Sequence, residues 1–255
     1  MTWRFIIDPP LSPAMNMAID SAMAAVFVED KMLPTLRLYQ WKTPAITLGA
    51  FQKSDPSLNH FLETHPVKPV RRITGGQAFL HDLDFTYSIV ASTHDPLFSG
   101  GIKKTFYAIA EGLLAGLSHL RISANIHSPA RNAASLRDRS PFCADSISWY
   151  EIAVDGKKLI GSAQKRWPNH FLQHGSMRLK QSVFEKELHA KPKMLNLYDL
   201  IGRVPPCDEI ENAMQIGFET AWGIKLAKGS LTDEETALAN RLMAEKYNIK
   251  SAIAF

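Results

Sequence analysis

Cys143, Lys158, two histidines and a diglycine segment are the residues through which this chain could do chemistry. Cys143 lies in Ser140-Pro141-Phe142-Cys143-Ala144-Asp145, an irregular stretch ahead of an expected strand. A thiol in such a loop can be exposed, and Arg137 and Arg139 nearby would favour its nucleophilic thiolate. The competing reading is an inert buried cysteine. Cys207, between Pro206 and Asp208, has no activating neighbour and reads as inert. Lys158 is the second of a Lys-Lys pair at a turn, where a solvated surface lysine is the plain reading. On a buried strand face its amine would be desolvated and its pKa lowered. It could then carry a proton or hold a thioester or phosphate oxygen.

The second centre is Val70-Arg71-Arg72-Ile73-Thr74-Gly75-Gly76-Gln77-Ala78-Phe79-Leu80-His81-Asp82. Paired glycines allow left-handed backbone or close approach to a ligand. Successive amides in such a turn form a concave site for anions or carbonyl oxygens. Two guanidiniums precede it. The segment reads as a binding loop for a phosphate-bearing or acyl group, or equally as a plain Gly-Gly hairpin between two strands. His81, beside Asp82, could shuttle protons or serve as a strand-end hydrogen-bonding group. His174, in Gln173-His174-Gly175-Ser176, is a similar case on another strand.

The elements that must position these residues follow from periodicity and punctuation. Residues 3–8 read as a strand ended by Pro9-Pro10. Ser12-Pro13 opens a helix to about Glu29. Strands are expected over 36–41 and 45–49, paired with each other, and Asp55-Pro56 opens a short helix to about Thr64. A strand over 67–72 enters the glycine loop, and one over 84–91 follows it. Residues 103–120 form an amphipathic helix, 121–127 another strand, and 128–147 an irregular stretch. Asp155-Gly156 between alternating runs is a strong hairpin signal. It pairs Val154 with Lys157 and Ala153 with Lys158, placing Lys158 on one face with Glu151, Ala153 and Ile160. A strand over 171–179 and helices over 194–201, 208–222 and 233–246 complete the chain. We expect a core over 1–190 and a helical C-terminal extension over 191–255 packed on the same domain.

The 255 residues, 45% hydrophobic, suffice for one large α/β domain. No apolar run reaches membrane-spanning length, and the N-terminus is charged too soon for a signal peptide. A cytoplasmic protein with free thiols is expected, without a structural metal. Lys plus Arg exceeds Asp plus Glu by 29 to 25, a net +4. That modest excess suits an acidic protein partner, and no basic-aromatic stripe points to nucleic acid.

Together the segments resemble the lipoyl/biotin protein-ligase catalytic domain family. The matching pieces are Asn16-Met17-Ala18-Ile19-Asp20, Gly49-Ala50-Phe51-Gln52, Arg71 to Gly76 with His81-Asp82, Gly156 to Gln164, and Gln173-His174-Gly175-Ser176. The resemblance implies an α/β (α+β) fold: a mixed, largely antiparallel sheet with packed helices. It makes Lys158 the essential lysine and implies a substrate site at Arg71, Arg72, Gly75, Gly76, Gln77, His81, Gly161, Ser162, Ala163 and His174. The segment around Cys143 is similar to the nucleophile segment of octanoyltransferases of the LipM type. These move octanoate from acyl carrier protein to a lysine of lipoyl domains or glycine cleavage H protein. That chemistry implies catalysis by Cys143 and Lys158 with no cofactor and no metal. The alternatives are a lipoate–protein ligase, which uses ATP and magnesium through a lipoyl-adenylate, and a non-catalytic relative that only binds carrier domains. A monomer is expected.

Overall fold

The Asp155-Gly156 turn forms as the alternation around it demands: both residues take left-handed φ values, 49° and 73°, the requirement of a two-residue hairpin turn. The computed structural model describes residues 1–28, 31–53, 55–127, 151–188 and 194–247. In chain order the elements are β1 (Thr2–Ile7), α1 (Pro13–Val26), β2 (Thr35–Tyr39), β3 (Ala45–Leu48), α2 (Pro56–Thr64), β4 (Lys68–Arg71), β5 (Phe79–His81), β6 (Asp84–Ser92), α3 (Ile102–His119), β7 (Asn125–Ile126), β8 (Ile152–Val154), β9 (Lys157–Arg166), β10 (His170–Arg178), α4 (Glu185–Leu188), α5 (Leu197–Ile201), α6 (Cys207–Trp222), β11 (Lys225–Lys228) and α7 (Asp233–Glu245). Ser12 caps α1 through the amide of Met15, with Pro13 in the first turn.

The large sheet has the order β11-β1-β2-β6-β10-β9-β8-β7. β1 runs parallel to β11 and β2, and the remaining pairs are antiparallel. This is the expected mixed, largely antiparallel architecture. α3 and α6 cover one face, where Trp3, Leu36, Ile89, Leu113, Phe218 and Trp222 share a core. α1 and α7 cover the other, with Ile6, Met23, Val90, Leu172 and Ala239 between them. Among the described residues no helix is long and apolar enough to cross a membrane.

A second sheet, ordered β4-β3-β5, corrects two expectations. β2 and β3 do not pair, because β2 is an interior strand of the large sheet, flanked by β1 and β6. Its five residues are all buried. The chain then leaves through the Leu11–Trp41 bridge and Pro44. The glycine segment is not a hairpin either: β4 pairs parallel and β5 antiparallel to β3. Residues 72–78 therefore cross the end of β3 rather than turning back on β4. Leu83, with φ 56°, passes the chain from the second sheet to the first.

Three smaller differences concern ends and strands. The strand over 121–127 shrinks to Asn125–Ile126. The helix expected from Met194 starts at Leu197, capped by Asn196, because Met194 bridges Lys158 instead. β11 was not legible as a strand, its partner β1 lying at the opposite end of the chain.

Candidate functional site

The glycine loop is fixed from below. A β-carbon on Gly49 would lie 1.8 Å from the carbonyl oxygen of Gly76, so only glycine lets the end of β3 pass under the loop. Ala50 N donates to Thr74 O at 2.9 Å. Gly76 has φ 96°. Gly75 is outside the left-handed region and a β-carbon there meets nothing within 4 Å. Arg72 is buried; its Nη2 donates to the carbonyls of Gly75 and Gln77 at 2.8 and 2.9 Å, and its Nη1 to Thr47 O at 3.0 Å. Arg71 Nη1 donates to Gly49 O and Gln52 O. These guanidinium contacts hold the loop's shape.

Lys158 is fully buried. Its Nζ donates to Glu151 Oε1 at 2.6 Å, and that carboxylate is buried too. A buried ammonium requires such a counter-charge. The register around the hairpin matches at Val154–Lys157 and Ala153–Lys158, then shifts so that Ile152 faces Ile160. This bulge leaves Leu159 without a partner and breaks the alternation. Leu159 and Ile160 both enter the core with Ile152. Ile160 therefore does not share the face of Lys158, whereas Glu151 does. The bulge also brings Lys158 beside Gly161, where a β-carbon would lie 2.9 Å from Nζ. Cys143 lies outside the described residues.

Both expected histidines are bonded on both ring nitrogens. His81 Nδ1 lies 2.7 Å from Asp84 Oδ2 and Nε2 3.0 Å from Thr47 Oγ1, with Trp41 stacked on the ring at 3.8 Å. Burial pushes the His81 imidazole below its ordinary value, against the opposing charge of Asp84. His174 Nδ1 lies 2.9 Å from Asp20 Oδ2 and Nε2 2.8 Å from Thr74 Oγ1. Burial alone would raise the Asp20 carboxyl. The hydrogen bond with His174 and the charge of Arg37 outweigh that and hold it below its ordinary value.

Of these groups Arg72, Gly76, His81, Glu151 and His174 line one cavity of about 620 Å3, open mouth included. One wall comes from the second sheet (Thr47, Phe79, His81), the other from β9 and β10 (Gly161, Ser162, Ala163, His174), with Met17, Tyr39 and Trp41 closing it. Many of its polar groups are bonded within the wall. Trp41 Nε1 donates to Thr86 Oγ1, Thr86 pairs with Ser176, and Ser162 pairs with Tyr87. Aromatic and aliphatic surfaces are thus left to a guest, the usual character of a small-molecule site.

Residues 12–219 match the model of the lipoyl protein ligase A/B catalytic domain. The chain belongs to that family. The octanoyltransferase LipM of Brevibacillus brevis is 36% identical over 96% of each chain. Among solved structures, a proposed lipoate protein ligase from T. acidophilum with bound lipoic acid superposes with a TM-score of 0.81 at 22% identity over all of both chains. A bi-partite archaeal lipoate protein ligase from Thermoplasma acidophilum, described with its E2 lipoyl domain, gives 0.77 at 22% identity over 99% of this chain and 96% of that one. At these identities the superpositions speak for the fold.

For this member of the lipoyl protein ligase family, the structure gathers Arg72, Gly76, His81, Gly161, Ser162, Ala163 and His174 around one cavity. Arg71 stands behind the loop, gripping Gly49 and Gln52. Gln77 contributes its main-chain carbonyl to Arg72. Sequence reasoning missed Glu151, Asp20, Thr47 and Trp41 as parts of the site. The signal for Glu151 was present in its strand phase with Lys158. Trp41 reaches the cavity, and Asp20 reaches His174 behind its wall, only through tertiary packing.

Proposed function

We propose that this chain transfers an octanoyl group from acyl carrier protein to a lysine of a lipoyl domain or glycine cleavage H protein, through a thioester on Cys143. The observation that carries this reading is the buried Lys158–Glu151 pair beside the apolar cavity and glycine loop. The 36% identity to an octanoyltransferase over nearly the whole chain supports it. The Cys143 thiolate attacks the carbonyl carbon of the octanoyl thioester. The bond to the phosphopantetheine sulfur breaks, and that thiolate leaves and takes up a proton. The neutral ε-amine of the acceptor lysine then attacks the acyl-enzyme. The C–S bond to Cys143 breaks, the thiolate is restored, and the proton released by the amine passes through the Lys158–Glu151 pair to solvent. Splitting the transfer in two is covalent catalysis. An ammonium at Lys158 favours the thiolate in the first half-reaction. Donors at the glycine loop would stabilise the oxyanion, each typically worth about 3 kcal/mol. Amide formation from a thioester runs downhill, so the transfer needs neither ATP nor metal. The +4 net charge suits an acidic carrier protein.

Intact mass after incubation with octanoyl-carrier protein tests this. We expect one octanoyl adduct, removed by hydroxylamine, absent in Cys143→Ala and retained in Cys207→Ala. Unmodified wild-type protein, or an adduct that persists in Cys143→Ala, rejects the acyl-enzyme. Transfer that requires ATP and survives Cys143→Ala would assign ligation instead.

A further inference from the structure

His174 lines the cavity, yet its nitrogens face Asp20 and Thr74. The direction of each hydrogen bond follows from chemistry. Asp20 already accepts from Arg37 Nη1 at 2.8 Å, Tyr39 Oη at 2.9 Å and Ser88 Oγ at 2.8 Å. An ionised carboxylate can only accept, so His174 Nδ1 carries a proton and donates. At the other end, a guanidinium can only donate, so Thr74 Oγ1 accepts from Arg72 Nε, 3.1 Å away. Thr74 is fully buried. Its own hydroxyl proton then has His174 Nε2 as acceptor at 2.8 Å. The donors all point one way, from Arg72 to Thr74 to His174 to Asp20. An imidazolium would aim a third proton at the Thr74 oxygen and strand the hydroxyl proton in a buried site, a costly arrangement.

We infer that Asp20, His174 and Thr74 form a one-directional relay, with His174 as the neutral Nδ1–H tautomer, that positions the glycine loop through Arg72. Arg72 holds the carbonyls of Gly75 and Gln77, so the relay fixes where the loop's backbone meets an acyl group. His174 is on this account a positioning residue that keeps both nitrogens for the protein. Its kinetic consequence rests on the acyl-transfer reading above; its tautomer does not.

Two measurements test it. In the full chain labelled with 15N-histidine at neutral pH, the His174 ring, assigned by its loss in His174→Gln, should show the neutral Nδ1–H signature. An Nε2–H tautomer or an imidazolium overturns the relay. Single-turnover acylation at saturating octanoyl-carrier protein should be at least about tenfold slower in Thr74→Val, since small misplacements of reacting groups cost that much or more. Thr74→Ser, which keeps the hydroxyl, should recover to within roughly threefold of wild type by the same argument. Equal rates for Thr74→Val and wild type overturn the positioning role. A wild-type enzyme that forms no thioester would defeat the acyl-transfer reading, while the ring signature still decides the relay.

Discussion

At Gly161 a β-carbon would sit 2.6 Å from Lys158 Cε and 2.9 Å from its Nζ. The amine is the movable party in that clash, but it is buried and bonded to Glu151. Gly161→Ala should therefore move the ammonium off its carboxylate while leaving the sheet intact. We expect octanoyl transfer to drop by about two orders of magnitude, the scale of an ångström-sized misplacement at a reacting group, and the melting temperature to fall as well, because the displaced ammonium leaves a buried charge uncompensated. Gly75→Ala is the contrast. Nothing lies within 4 Å of its β-carbon position, so stability should stay within about 0.5 kcal/mol of wild type. A Gly161→Ala enzyme with full activity would mean that the Lys158 amine need not stand where it does. Glycine identity was legible in the sequence for both positions. What separates them was not, because the separation depends on which atom lies where the β-carbon would go.

α3 ends with a feature that its sequence hides. The amide of Arg121 donates to Ser118 O and that of Ile122 to Leu117 O, both at 2.9 Å. Leu117 and Ile122 meet in the core. This is the two-bond helix stop that normally places glycine in the left-handed position, yet Arg121 occupies it with φ 61°. Arginine there costs about 1–2 kcal/mol of steric strain. Glycine's looser unfolded chain offsets about 0.5–1 kcal/mol of that relief. Arg121→Gly should thus stabilise by about 0.5–1 kcal/mol, a rise of roughly 1–4 °C for a chain of this size, read by thermal melting; a lower melting temperature would contradict the strain. Local chemistry of this kind separates the legible elements from the others. The Asp155-Gly156 hairpin was readable because its turn type needs those residues. The membership of β3 in a second sheet, the bulge at Leu159 and the pairing of β11 with β1 were not. Each is decided by a partner far away in sequence or by one extra residue that alternation does not reveal.

The last part of the chain braces the first. β11 extends the large sheet alongside β1, and α7 lies against α1, the helix that carries Met17 to the cavity and Asp20 to His174 behind its wall. Arg4, on β1, clamps α7: its Nη1 and Nη2 donate to the two oxygens of Glu235 at 2.6 Å each, and its Nε to Thr35 Oγ1. Glu235 is fully buried and also closes a capping box with Thr232. Removing one partner of a buried pair leaves the other charge uncompensated, which costs about 3–5 kcal/mol. The Arg4 side chain retains 13% exposure, which places Glu235→Gln at the lower end of that range. If residues 194–247 are one cooperative unit with the core, the variant should shift a single denaturant transition to lower concentration, with tryptophan fluorescence and far-ultraviolet dichroism moving together. Trp3 and Trp222 make this readable, since their rings meet at 4.9 Å across the two parts of the chain. A variant in which helical signal is lost first, while the cavity still takes up an octanoyl group, would instead make the C-terminal segment a separable lobe.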